Sequence, residues 1–155
     1  MSETRIGRNT ILWKCKGYDL PRDLPLIISA LLWLLYYELL IHLKPLPVIL
    51  AKIREIPPEA SLLLSEEETG IILDKLWRAC GFWMSRVLNN TRPCLRRSLV
   101  LYRWCRKLGL ESKVVIGVDK NGDVLKGHAW LIVKGRIYRE DPVALAKDYT
   151  ILLEG

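Results

Sequence analysis

Apolar and polar positions divide this chain into stretches of different period. From Leu24 to Pro47 the run LPLIISALLWLLYYELLIHLKPLP is almost continuously apolar. Pro25 suits the first turn of a helix and Pro45 ends it, so one long helix is predicted. About 20 apolar residues also match the thickness of a bilayer. Ser29, Glu38 and His42 interrupt the run, however, and a charge as deep as Glu38 is costly in lipid. A buried core helix is therefore expected, with a membrane-contacting helix as the alternative. Val48 to Ile56 reads as a second, shorter helix, followed by a Pro57-Pro58 linker. Ser65 with three glutamates behind it predicts a capping box, and an amphipathic helix from there to Leu88, stopped by Asn89-Asn90. Pro93 and Gly109 bracket another helix, with Leu95, Leu99, Tyr102 and Cys105 at helical spacing.

Beyond Gly109 the period shortens to that of strands. Lys113 to Val118 and Lys126 to Val133 flank Asn121-Gly122, a strong hairpin turn. Lys134-Gly135 makes a second tight turn, and Arg136 to Glu140 a third strand that Asp141-Pro142 terminates. Residues 1 to 23 are polar and mixed, with a short strand or ordered arm expected around Thr10 to Lys14. Helices followed by an antiparallel meander make an α+β domain. At 155 residues a single domain 1–155 is expected, with a helical N-terminal part over 1–60 and the core over 61–155.

Charge narrows the partners. With 24 Lys and Arg against 17 Asp and Glu, the net charge is +7, which favours an anionic partner. There is no Lys/Arg-rich tail and no nucleic-acid-binding motif, so nucleic acid is not the expected partner. The four cysteines, Cys15, Cys80, Cys94 and Cys105, form no CxxC pair, and with two histidines they make no zinc cluster. No metal or cofactor is called for. The cysteine pattern and the absence of a signal-peptide core in MSETRIGRNTILWKCKG predict a reduced, cytoplasmic protein.

One cysteine stands in a setting of its own. In TRPCLRRSLVLYRWC, Cys94 directly follows a proline at a helix start, among Arg92, Arg96 and Arg97. Free backbone N–H groups, the positive end of the helix dipole and nearby cations all favour a thiolate there. A buried structural cysteine is the plainer alternative. A base is available in GHAWLIV. If Lys134-Gly135 is a two-residue turn, Val133 faces Arg136, and counting back sets His128 opposite Asp141, with Cβ atoms about 5 Å apart. Glu140 then points to the other face. Counting from Asn121-Gly122 sets Val115 beside His128, and Trp130 shares its face. Thiol, imidazole and carboxylate make the cysteine form of the catalytic triad, with the Cys94 N–H as one oxyanion donor. A strand histidine bonded to Asp141 for stability is the competing reading. Cys80 and Cys105 are expected to be buried and inert.

The order of a helical cysteine, a hairpin, HAW on a strand and an acid on the next resembles the transglutaminase-like, papain-related thiol hydrolases. More narrowly, CLRRSLVLYRWCRKLGL, VVIGV, GHAWLIVKG and Asp141 resemble the lasso-peptide leader peptidases, as does the Leu-rich helix ahead of the cysteine. That resemblance implies a transglutaminase/papain-like core over 61–155 with catalytic Cys94, His128 and Asp141. It implies a cysteine peptidase that cuts the leader from a lasso precursor and frees the amine that a partner cyclase then joins into a macrolactam. The chain is similar to the split form, for which a separate leader-recognition protein delivers the substrate. Asp148 competes with Asp141 if the turn register differs. Arg92, Arg96, Arg97, Arg103, Arg106 and Lys107 offer contacts to an acidic leader, although solvated helix faces account for most such charges. Arg97, three residues from Cys94, shares its helical face. Trp77, Phe82, Trp83 and Trp104 offer a peptide groove, against core packing as the commoner role. Arg97, Trp130 and Trp83 are the candidate substrate contacts. Two other functions fit the same residues: a transglutaminase-like acyl transferase or amidase, and a non-catalytic basic binding module.

Overall fold

A computed structural model describes residues 17–59, 64–88, 93–119 and 126–155. The expected arm at Thr10 to Lys14, the Asn121-Gly122 turn and Arg92 lie outside the described residues. Among the described residues four helices come first: α1 (Leu24–Leu43), α2 (Leu46–Arg54), α3 (Glu66–Arg86) and α4 (Pro93–Lys107). Strands β1 (Ser112–Asp119), β2 (Gly127–Val133) and β3 (Arg136–Ile137) follow, then α5 (Pro142–Asp148) and β4 (Tyr149–Glu154). The fold is α+β, with an antiparallel sheet in the order β3-β2-β1-β4.

Local chemistry accounts for the helix ends. The Ser65 hydroxyl accepts from the Glu68 N–H, while the Glu68 carboxylate accepts from the Ser65 N–H, so two otherwise unpaired donors at the start of α3 are satisfied. Gly109 ends α4 in the left-handed region at φ 69°, and the Leu110 N–H reaches back to the Cys105 carbonyl.

The helices cover one face of the sheet. Leu34 and Tyr37 of α1, Ile49 and Ile53 of α2, and Leu76 and Cys80 of α3 close around α4, and Val114 and Leu131 floor this core from the sheet. Helix α4 is central, so more of it is buried than its apolar spacing predicts: Ser98, Val100 and Leu101 are covered as well as Leu99, Tyr102 and Cys105. Arg96 is covered too. Its guanidinium meets Glu38 of α1 at 2.6 Å, and it is 1% exposed. The acid that interrupts the apolar run is thus the partner of a buried cation. A charged pair of this kind is costly to form but more costly to break. Arg96→Ala leaves Glu38 half-buried without its main counter-charge. It is expected to lower stability by about 2 to 3 kcal/mol, read from urea unfolding.

The strand pattern departs from the sequence reading in three ways. First, Ser112 faces Val133 and Gly117 faces His128, so the β1–β2 register is displaced by two residues and Val115 faces Trp130. A shift of two preserves which side chains share a face. Second, the turn at Lys134-Gly135 has both residues at positive φ and pairs Val133 with Arg136, as the two-residue turn requires, but β3 stops at Ile137. Third, the segment after Pro142 forms α5 and then β4 on the far edge of β1. A smaller apolar cluster of Val115, Trp130 and Leu145, with Ile132, Ile137 and Tyr149 against it, lies on the sheet face turned away from α4.

Candidate active site

Cys94 is the second residue of α4, where the backbone N–H groups of the first turn have no intrahelical acceptor. Its sulfur accepts hydrogen bonds from the His128 ring and from the N–H groups of Ala129 and Leu95. The strand presents those groups through Ala129, whose carbonyl accepts from the Ser98 hydroxyl at 3.2 Å. Ser98 lies one turn along α4 from Cys94. Both backbone groups of Ala129 therefore point to α4, past the end of the short β3, and they set the height of the cysteine against the histidine.

Burial, the largest single influence, pushes the Cys94 thiol up, but the hydrogen bonds from His128, Ala129 and Leu95 together with the charge of His128 hold it below its ordinary value. His128 moves the other way. The Cys94 sulfur raises its pKa, burial lowers it, and the Glu140 charge raises it further. Opposed shifts of this kind favour the thiolate–imidazolium form of the pair. Cys80 and Cys105 lie buried in the core, and burial pushes both thiols up to about 12.

The carboxylate beside His128 is Glu140 and not Asp141. Glu140 Oε1 stands 3.3 Å from His128 Nε2. Asp141 is the N-cap of α5, and its Oδ1 accepts from the Val143 N–H at 2.9 Å. The strand alternation that favoured Asp141 ends at Ile137. Arg139 then takes a left-handed conformation at φ 55°, and the chain turns before Glu140. Arg139 is anchored by an ion pair with Asp74 and by stacking on Trp77. Asp148 lies at the far end of α5. A signal for this was present in the sequence, because an Asp before a Pro at a helix start commits its carboxylate to capping.

The candidate substrate contacts separate. Trp130 is 4% exposed, with its ring stacked on His128 at 6.0 Å and 24°. Tyr149 of β4 approaches His128 at 5.3 Å. These two rings also line a groove of about 560 Å³ with Ile132, Ile137 and Leu145. Arg97 instead stacks on Trp77 at 4.5 Å, and the Trp83 N–H donates to the Ile27 carbonyl, holding α1 on α3. Trp83 therefore packs helices together. Arg103 stacks on Trp33, and Lys107 pairs with Glu59 at 3.2 Å, so these cations are largely spent on the fold.

Gly117 faces His128 across the ladder. A Cβ there would stand 3.0 Å from the Trp130 ring, 3.0 Å from Tyr149 Cβ and 3.1 Å from the Thr150 carbonyl. Gly117→Ala is expected to displace the aromatic pair, cost about 1 to 2 kcal/mol of stability, and slow alkylation of Cys94. Thermal unfolding and labelling rates check both.

Among the described residues no cluster of three or more His, Cys, Asp or Glu is placed to hold a metal ion. The arrangement suits thiol chemistry at a carbonyl carbon: a nucleophile, a proton carrier and a carboxylate that orients it. The family model described as the transglutaminase-like superfamily matches residues 36–154. No curated protein and no solved structure matches the chain.

Proposed function

The chain belongs to the transglutaminase-like superfamily, whose members point to cysteine protease or acyltransferase chemistry, and from that premise we propose that it is a cysteine peptidase that removes the leader from a lasso-peptide precursor. The observation that carries the chemistry is the hydrogen-bonded Cys94–His128 pair with Glu140 beside the ring. The choice of substrate rests on the resemblance of CLRRSLVLYRWCRKLGL and GHAWLIVKG to leader peptidases.

The Cys94 thiolate adds to the carbonyl carbon of the scissile bond. The Cys94 N–H, free of an intrahelical acceptor, stabilises the oxyanion. The tetrahedral intermediate collapses as His128 gives its proton to the leaving amine, which departs as the new N-terminus of the core peptide. Water then attacks the thioester, His128 takes its proton, and the leader leaves as a carboxylic acid while the thiol reforms. Glu140 orients the ring, and it stabilises the imidazolium. The separate leader-recognition protein would supply the affinity for the leader, and the cyclase would take the freed amine.

The test is cleavage of a precursor peptide by the protein together with a leader-binding partner, read by mass spectrometry with and without an added primary amine. Release of leader acid supports the peptidase. A leader amide formed from the added amine in preference to acid would assign the acyl transferase. A slow, ordinary alkylation profile for Cys94, with peptide binding that weakens steeply in salt, would assign the basic binding module.

A further inference from the structure

Helix α1 is apolar on nearly every side, yet the described residues cover only one of them. Ala30, Leu34 and Tyr37 face the core, and Glu38 turns onto Arg96. The opposite side is open along all five turns. Leu24, Ile28, Leu32, Leu35, Tyr36, Leu39 and Leu43 are 43–64% exposed and recur at intervals of three and four. That spacing spreads them over an arc of about 120°, wider than the seam of a two-helix pair. A groove of about 910 Å³ runs along it, lined by Leu24, Ile28, Leu32, Trp33, Tyr36 and Arg103. Contiguous apolar surface of this size marks a contact site.

Three observations narrow what covers it. Helix α1 itself brings no acid to the face: Glu38 turns onto Arg96, His42 stands at the rim, 3.5 Å from that acid, and the one charge lining the groove is the cation Arg103 of α4. It offers few hydrogen-bonding groups, whereas protein interfaces carry about one hydrogen bond per 100–200 Å². Finally, the ends of α1 are flanked by Arg22 and Lys44, in a chain of net charge +7. A second copy would bring a further +7 and repel. A bilayer with anionic headgroups would meet an apolar stripe with apolar tails and the flanking cations with phosphates.

We propose that the open face of α1 docks this protein on an anionic lipid surface, with the helix lying along the interface and not crossing it. By length and composition α1 suffices to span a membrane, but its packing against α3 and α4 and the buried Glu38–Arg96 pair hold it on the fold. The proposal stands apart from the catalytic reading, since it uses no residue near Cys94.

The experiment is vesicle flotation of the full chain with phosphatidylcholine vesicles, with and without a quarter of phosphatidylglycerol, over a range of salt. Wild type is expected to float with the anionic vesicles, more weakly as salt rises, and poorly with phosphatidylcholine alone. The double variant Leu32→Glu with Leu39→Glu should lose at least about tenfold of that binding, and Lys44→Glu should lose binding to the anionic vesicles only. Both variants should keep the wild-type melting temperature and Cys94 labelling rate, because the altered side chains stand outside the core. Failure of wild type to float, or equal flotation by the double variant, overturns the proposal. So does a wild-type dimer in sedimentation that the double variant abolishes without any vesicle binding, which gives the face to a second copy.

Discussion

Cys94→Ala is expected to abolish turnover, by a factor of at least about 10⁴, while leaving the fold intact. The substitution removes the sulfur that would form the thioester. It leaves the core unaltered, because Cys94 sits at the rim of α4 and is only partly buried. Circular dichroism and the urea midpoint should match wild type. The companion measurement is alkylation of each cysteine by iodoacetamide across pH. Because His128 and Ala129 hold the Cys94 thiol below its ordinary value, its labelling should rise at lower pH than that of an ordinary thiol. Cys80 and Cys105, pushed up to about 12, should stay unlabelled in the folded protein. In His128→Ala the ring's hydrogen bond and charge, which lower the Cys94 thiol, are gone while burial remains, so the profile should move to higher pH. Labelling of Cys94 that ignores His128→Ala would sink the thiolate–imidazolium pair.

Glu140→Gln is expected to reduce turnover by about 10² to 10³, whereas Asp141→Asn should leave it near wild type. The two neighbours separate because they do different work. Glu140 lies on His128 Nε2, and Asp141 caps α5. Turnover needs Cys94 ionised and His128 protonated. It should therefore rise with pH through the lowered value of the thiol and fall through the raised value of the imidazole. Glu140→Gln removes a charge that raises His128, so the alkaline limb should move to lower pH. Asp141→Asn should leave that limb in place and lower stability by at most about 1 kcal/mol, since asparagine also caps helices. The reverse outcome, with Asp141→Asn moving the alkaline limb, would return the carboxylate role to Asp141. The first comparison to make is the pH–rate profile of the two variants side by side.

How much of this was legible can be traced through single residues. Pro93 and Gly109 bounded α4, and Cys94 at its start was already conspicuous in the chain. The Ser65–Glu68 box and the Lys134-Gly135 turn were equally plain, because each is a bargain between residues a few positions apart. Register across β1 and β2 was less legible, because which positions face each other across two strands is not disclosed by the residue types alone. Gly117 shows the consequence. Nothing nearby in the chain says that Trp130 and Tyr149 will press on it.

The sequence by itself determined the α+β order and the main helix ends, and it singled out Cys94 and His128, since those follow from local propensity and from the chemistry of a thiol at a helix start. Only the tertiary structure decided that Glu140 and not Asp141 meets His128, because Arg139 leaves the strand conformation under contacts with Asp74 and Trp77, more than sixty residues away. Only it decided that Arg96 is buried against Glu38, and that the described residues cover α1 on one side alone. A helical period reports which positions share a face. Which faces find a partner depends on where the other elements stop.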